Sequence, residues 1–481
     1  MKAEKLYPFL IVLLVGLLVS LSFYAGLFSG LENFFEDLFF SSKPVHPDIV
    51  IIAIDSESIN KIGQWPWPRA VFGKALLEIE KATPKSVGID VIFAEPSRFG
   101  QADDSALARA LSQLSFLVAM PVEAEPLILS KNNPPRAGNF LKTLPILANA
   151  KNVILSHVNL ILDDDGVARR LPLKVGEFNA MSYETAKQSG LKIPNEEKLD
   201  LISRIVFSGP TGSIRKIPFW RVLEGETKEL LKDKVILIGA TSPDLHDEKP
   251  TPFSKGTQMP GVEIQANIMN MLLSGYRLAP LSAPLTMAWI FAAALIAELI
   301  FLFFRGAFLP LAVNLVVGLA YLITIFILFD FGIAVNFVHI NFAWFGATAG
   351  LLAFRYFTSE KGRKEIQQIF SKYVSKEVLE DILKNPDKVK LGGEVREVTV
   401  FFSDIKGFTT LSEKMSPQEL VGVLNEYFTL MTGEVLKYGG VLDKYIGDAI
   451  MAFWGAPIDD ENQADNALKA GLGMIKKLEI L

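Results

Sequence analysis

The chain has 481 residues, 50% hydrophobic and 21% charged, with a formal net charge of −5. Its mean hydropathy of +0.31 points to membrane segments, since ordinary soluble chains are hydrophilic on average, and its acidic balance excludes a chain built around a nucleic-acid-binding surface. The absence of cysteine excludes disulfides, thiolate zinc sites, iron–sulfur clusters and Cys nucleophiles, and 4 His leave carboxylates as the natural metal ligands, which favours Mg²⁺ or Mn²⁺.

In chain order, the first feature is an apolar run from Leu6 to Phe28, preceded by Lys2 and Lys5. It covers the ~20 residues a helix needs to cross a bilayer. It also exceeds a signal-peptide core and lacks a small-x-small cleavage site, so residues 1–29 read as an uncleaved anchor. Residues 30–280 alternate apolar runs with amphipathic stretches, the pattern of an α/β domain. Strands are expected at Ile49–Ile54, Val87–Phe93, Phe116–Val122, Val153–Leu162 and Val235–Ile238; the unbroken apolar runs among them suit burial on both faces. The Pro- and Asn-rich stretch from Pro121 to Pro145 reads as a surface loop. Trp65-Pro-Trp-Pro-Arg69 reads as a stiff aromatic turn that leaves Arg69 to an anion or a carboxylate. Asp163-Asp-Asp-Gly166, followed by Arg169 and Arg170, reads as plain turn chemistry, because its adjacent acids do not fit a calcium loop. Asp55 and Asp90 each end a strand, where open α/β sheets place ligands; each suits a helix cap equally well.

Three further apolar runs, Leu285–Phe304, Phe308–Phe329 and Gly332–Phe354, make residues 285–354 a set of three membrane helices. Lys2, Lys5, Arg305, Arg355, Lys361, Arg363 and Lys364 all fall on one side of four crossings, and the opposite short loop carries only Asp330. Positive charge stays in the cytoplasm, so both termini are expected inside an inner (plasma) membrane, with residues 30–280 outside. Glu298 lies within two helical turns of Arg305, and pairing between them is the expectation. Interhelical hydrogen bonds account for Asn336, His339 and Asn341.

Residues 355–394 form a charged linker with a one-sided apolar stripe at Ile366, Phe370, Tyr373/Val374, Val378 and Ile382, suited to a second copy or to the following domain. In REVTVFFSDIKGFTTLSEK, Val398–Phe402 reads as a buried strand from which Asp404 emerges. Gly407 then lets the backbone approach a phosphate, and Thr409 and Thr410 are placed to cap the helix that follows. GGVLDKYIGDAIMAFWG reads as strand, Gly447-Asp448 turn, strand. Taken singly, Asp404 suits a helix cap and Asp448 a turn. Together, two carboxylates on adjacent strands can hold two divalent ions for phosphoryl transfer.

The outer segments PDIVIIAIDSESI, GQWPWPR, VGIDVIFAEPS, DDDGVARR, VILIGAT and MPGVEIQANIMNMLL resemble the second type of CHASE extracellular sensory domain, which implies a receptor for an unidentified extracytoplasmic signal. FFSDIKGFTTLSE and LDKYIGDAIMAFWGAP resemble the class III nucleotidyl cyclases, which implies an α+β, ferredoxin-like catalytic module over residues 395–481. The resemblance implies two metal ions, Mg²⁺ or Mn²⁺, on Asp404, Asp448 and the carbonyl of Ile405. It also implies a triphosphate cradle at Gly407, Phe408 and Thr409, and in-line attack of the ribose 3′-oxygen of ATP to give cyclic AMP and pyrophosphate. Lys444 falls at the family's base-reading position. An ammonium donor suits adenine N1, an acceptor, whereas guanine N1 carries hydrogen; a solvent-facing strand lysine is the alternative.

Such sites are built across a dimer, so a homodimer is implied. The match begins near Arg396 and reaches Leu481, about half of such a domain. The second base contact and the Asn and Arg that act on the ribose and the transition state are not found in it. Residues 1–481 alone are therefore expected to make no cyclic nucleotide and to leave apolar faces around Ile450, Phe453 and Leu472 uncovered. Two readings result: a membrane-bound receptor adenylate cyclase, or a non-catalytic membrane sensor with a partial cyclase module. Transport through the helices is disfavoured, because no Gly/Pro-broken pair is evident.

Overall fold

The computed structural model describes residues 6–129, 134–304, 306, 308–370, 379 and 395–479. Lys2, Lys5, Arg305, the side chains of Lys361, Arg363, Lys364, Ile366 and Phe370, and the rest of the expected linker stripe lie outside the described residues. The chain divides into two compact units, Met1–Leu351 and Leu352–Leu481.

In the first unit, helix α1 (Leu6–Tyr24) leads into α2 (Ser29–Leu38) and then into a seven-stranded sheet. Its strands are β1 (Ile49–Ile54), β2 (Ser86–Asp90), β3 (Val118–Ile128), β4 (Arg136–Lys142), β5 (Val153–His157), β6 (Lys216–Pro218) and β7 (Val235–Ala240). They lie in the order β6-β1-β7-β2-β3-β4, with β5 also on β3. All the pairings are parallel except that of β3 with β4. Every residue of β1 and β7 is buried, because helices cover both faces, as a parallel sheet requires. Phe72 and Leu76 of α3 (Arg69–Glu80) and Leu107 and Leu111 of α4 (Gln101–Gln113) fill one layer. Met181 of α5 (Met181–Gln188) and Val262, Ile268 and Met269 of α6 (Gly261–Ser274) fill the other. A side chain at Gly88 would place its Cβ 2.7 Å from Leu237 Cδ2 and 2.8 Å from Thr185 Oγ1, so this close layer contact needs glycine.

The Pro121–Pro145 stretch is not simply a loop. It contains the β3–β4 hairpin, and the side chain of Asn159 bonds both the N–H and the carbonyl of Ala124, at 2.9 and 3.0 Å. Partners far along the chain thus hold a proline-bearing strand that composition alone argues against. The Asp163–Gly166 turn forms as expected, within a small antiparallel sheet of Ile161–Leu162, Ala168–Pro172 and Ile202–Arg204. Arg69 finds a carboxylate: its Nε lies 3.7 Å from Asp104 Oδ1.

Helices α7 (Ala283–Phe303), α8 (Phe308–Asp330) and the first part of α9 (Phe337–Phe370) join α1 as the four described helices long and apolar enough to cross a membrane. The fourth begins later than its apolar run. Ile333–Ala334 pairs with Ala279–Pro280, and Asn336 Oδ1 then accepts the backbone N–H of His339 at 3.0 Å, stopping the helix at Phe337. Asn336 and Asn341 therefore make local bonds, Asn341 to the carbonyl of Phe337 at 2.7 Å, rather than interhelical ones. His339 meets other helices through the rings of Phe23 and Phe28. Glu298 is partly exposed, and its expected partner lies outside the described residues.

The second unit contains β8 (Thr399–Ser403), α10 (Phe408–Ser412), α11 (Pro417–Lys437), β9 (Val441–Ile446), β10 (Ala449–Trp454) and α12 (Gln463–Leu478). The strand order β8-β10-β9 is antiparallel throughout, and the β-α-β-β-α order of the longer elements follows a ferredoxin-like unit. Ser416 and Glu419 form a capping box that starts α11. Tyr427, Met431, Val435, Ala467 and Met474 of the two long helices pack on Leu442, Ile450, Ala452 and Trp454. With α11 and α12 packed on the opposite face, β8 is not the buried strand expected: Val400 is 47% and Phe402 62% exposed. Ile450, expected on an open face, lies under the helices instead, whereas Leu472 is exposed.

Candidate functional site

Ser403, at the end of β8, pairs with Ile450, and Ile446 pairs with Ala449 across the hairpin. This register brings the hairpin tip to the end of β8. Gly447, at φ 66°, makes the turn, and Asp448 beside it shares a hydrogen bond with Asp404. The N–H of Ile405 donates to Asp448 Oδ2 at 3.2 Å. Asp448 pushes the Asp404 carboxyl above the usual carboxylate range, first through that hydrogen bond and then through its charge.

Two facing carboxylates repel each other, a cation between them relieves that repulsion, and hard oxygen donors suit Mg²⁺ or Mn²⁺. The donor set therefore fits the implied ions. Among the described residues no group of three or more Asp, Glu, His or Cys is arranged to hold a metal ion by itself. Backbone carbonyls, water or substrate phosphates must complete any coordination here. The carbonyl of Ile405 accepts the N–H of Phe408 at 3.1 Å, which leaves it a second lone pair.

The loop from Asp404 closes at Gly407, whose φ of 81° is the left-handed conformation glycine permits, and Gly407 itself is the N-cap of α10. Thr409 and Thr410 lie within the helix and do not cap it, contrary to expectation; Gly407 makes the reversal without a side-chain bond. Phe408 and Thr409 directly follow this turn, on the stretch that also holds Asp404 and Ile405. Lys444 is not brought to the paired aspartates. Its side chain is 57% exposed, with the ammonium 3.4 Å from Asp443 Oδ2. Lys444 and Phe402 both pair in register with Met451, one from each side, so the three form a row on the sheet face away from the helices. On the helix side, a groove of about 550 Å³ runs along β8, lined by Phe401, Ser403, Tyr427, Met431, Leu472 and Ile475 among others.

In the first unit Asp55 is a helix cap, accepting the N–H of Ser58 at 2.8 Å. Asp90 is not. Burial raises its carboxyl to about 8, with the charge of nearby Asp247 adding to the effect. Asp247 is also raised by burial, and Lys249 opposes both shifts. Sequence reasoning found Asp90 from its place at a strand end but missed Asp247, which sits in a distant loop without a motif. Arg169 was read as a charge beyond a turn. It is the centre of three carboxylates, Asp37, Asp163 and Asp165.

Fold and site together define a sensory chain with membrane-length helices that carries part of a nucleotidyl cyclase catalytic module. Residues 11–300, more than half of the chain, match the CHASE2 domain, and the chain belongs to that family. Residues 393–480 match the adenylate and guanylate cyclase catalytic domain. Over 113 residues the chain is 37% identical to adenylate cyclase 1 of Rhizobium meliloti, covering 23% of this chain and 16% of that one. It is 35% identical over 120 residues to the terminal-differentiation-specific adenylate cyclase of Dictyostelium discoideum, covering 24% and 6% of the two chains. Among solved structures it is similar to the adenylyl cyclase CyaB of P. aeruginosa, at 41% identity over 18% of this chain and 44% of that one, with a TM-score of 0.17. The chain thus spans less than half the length of each of these relatives.

Proposed function

We propose that the chain is the sensory, membrane and metal-binding part of a receptor adenylate cyclase that converts ATP to cyclic AMP and pyrophosphate. The observation that carries this reading is the meeting of Asp404 and Asp448 at the end of β8. Asp404, Asp448 and the Ile405 carbonyl would hold two Mg²⁺ or Mn²⁺ ions. When bound, such ions polarise the transferring phosphoryl group and favour ionisation of the attacking hydroxyl. The chain's own residues position: the Gly407 turn, with Phe408 and Thr409, gives the triphosphate a close backbone approach, and Lys444 offers adenine N1 a donor.

The row of Phe402, Met451 and Lys444 lies on the sheet face turned away from α11 and α12. A homodimer supports base reading there, because an apolar face with a single ammonium suits contact with a second protomer and a base between them. The CHASE2 domain would receive a signal outside the cell and the catalytic module would act in the cytoplasm, as the basic residues beside the four helices imply.

The experiment is turnover in membranes by the protein carrying a complete catalytic domain. Asp404→Ala or Asp448→Ala should lower cyclic AMP formation on the order of a thousandfold while membrane insertion persists. Near-normal turnover in either variant overturns the assignment.

A further inference from the structure

Helix α2 touches both the sensory domain and the first turn of α9, the last of the described membrane-length helices. Toward the small antiparallel sheet, Asp37 bonds the Arg169 guanidinium twice, at 2.9 and 2.7 Å. Asn33 Nδ2 donates to Asp163 Oδ2 at 3.2 Å, and Glu36 pairs with Arg204. The side chain of Arg169 is only 6% exposed and also binds Asp163 and Asp165. A buried guanidinium with three carboxylates fixes geometry strongly, since removing one partner leaves charge out of water. Helix α2 is thereby fastened to the sensory domain.

On the adjoining face of α2, Glu32 accepts the backbone N–H of Phe337 at 2.7 Å and of Val338 at 2.9 Å. These are the first donors of α9 and have no acceptor within their own helix. A carboxylate there also meets the positive end of the helix dipole. Ring contacts reinforce the joint, with Phe35 at 4.6 Å and Phe39 at 5.6 Å from Phe337. Further along, the Gly346-x-x-x-Gly350 face of α9 is turned to α1: a Cβ at Gly346 would lie 3.2 Å from Val15 and one at Gly350 2.8 Å from Ile11. The segment that anchors the sensory domain thus also grips the start and the upper body of α9.

We propose that α2 is the transmission link by which the sensory domain sets the first turn of α9, through Arg169 and Arg204 on one side and the Glu32 carboxylate on the other. Displacement of the small sheet carries α2 with it and withdraws Glu32 from the N–H groups of Phe337 and Val338. The first turn of α9 then loses its cap, and the α1–α9 seam shifts with α2. That this movement controls catalysis rests on the receptor reading proposed above. The link is therefore read by amide exchange rather than turnover, which keeps its failure distinct from a failure of the cyclase assignment.

The test is amide hydrogen exchange of the full chain in lipid nanodiscs, read on a peptide covering residues 335–341 and on one covering β1. Glu32→Ala should speed exchange of the first peptide about fivefold, the size expected for a lost helix cap. Arg204→Ala and Asp37→Asn should speed it in the same direction, and Glu57→Ala, which removes an exposed partner of Lys61, should leave it unchanged. Protection of β1 reports that the domain stays folded; where Arg204→Ala loses it, Arg204→Gln is read in its place. Unchanged exchange at 335–341 in Glu32→Ala overturns the cap. Faster exchange in Glu32→Ala, with no effect of either the Arg204 or the Asp37 variant, overturns the link to the sensory domain.

Discussion

The carboxyls of Asp90 and Asp404 are pushed the same way by different causes: burial comes first at Asp90, and a facing carboxyl at Asp404. At Asp90 the shift has a consequence for stability. A folded-state value of about 8, above the ordinary carboxylate value, means the folded state binds this proton more tightly than the unfolded chain. Its contribution is fully present below about pH 4 and is lost as pH rises through 8. Asp90→Asn mimics the protonated form at every pH. It should raise the melting temperature relative to the parent chain, with a larger gain at pH 8 than at pH 4, as followed by thermal unfolding in detergent. An equal gain at both pH values would place Asp90 in an ordinary solvated setting. A second residue-scale expectation concerns Lys444. Lys444→Glu replaces a donor for adenine N1 with an acceptor and should lower kcat/KM for ATP tenfold or more, roughly what a mispaired polar contact costs. Unchanged ATP kinetics would leave Lys444 as the partner of Asp443 alone.

At the scale of elements, α11 and α12 cover one face of the second unit's sheet, and Leu379 packs beside Val441 and Phe453 on part of the other. Val400 and Phe402 stand exposed on that other face. If that face pairs with a second copy, Phe402→Asp should weaken self-association of the chain about thirtyfold, as loss of a central aromatic anchor does, with sedimentation in detergent as the measurement. Strands were legible where burial matched the local pattern. β1 reads directly from IVIIAI because both its faces are covered, and the β9–β10 hairpin reads from Gly447-Asp448 between apolar runs. The β3–β4 hairpin did not, because Asn159 and the β5 partner that hold it lie beyond the proline-rich stretch. The start of α9 was misplaced because Gly332–Val335 is as apolar as a helix while its backbone pairs with Ala279–Pro280. At the site, Asp404 and Asp448 were legible since each ends or turns a strand. The partner of Asp90, and the α2 partner of Arg169, Asp37, were not, since the parallel crossovers and α2 bring them from remote segments.

At the scale of the whole molecule, the chain couples a CHASE2 domain, four apolar helices and part of a cyclase catalytic domain. The α/β domain supplies a stiff sheet with both faces covered, and α2 ties that domain to the N-terminus of α9. In the reading proposed above, the paired aspartates would supply a place for divalent cations beside the Gly407 turn.

The most direct measurement of this central claim is Mn²⁺ binding to the full chain in nanodiscs, followed by the spectrum of free Mn²⁺ with and without ATP. The parent chain should bind Mn²⁺, more tightly when ATP is present. Asp404→Asn and Asp448→Asn should each weaken binding at least about tenfold, as loss of a charged ligand from a two-carboxylate site requires. Equal Mn²⁺ affinity in the parent and in both variants would contradict the account, because the two carboxyls would then meet for structural reasons alone.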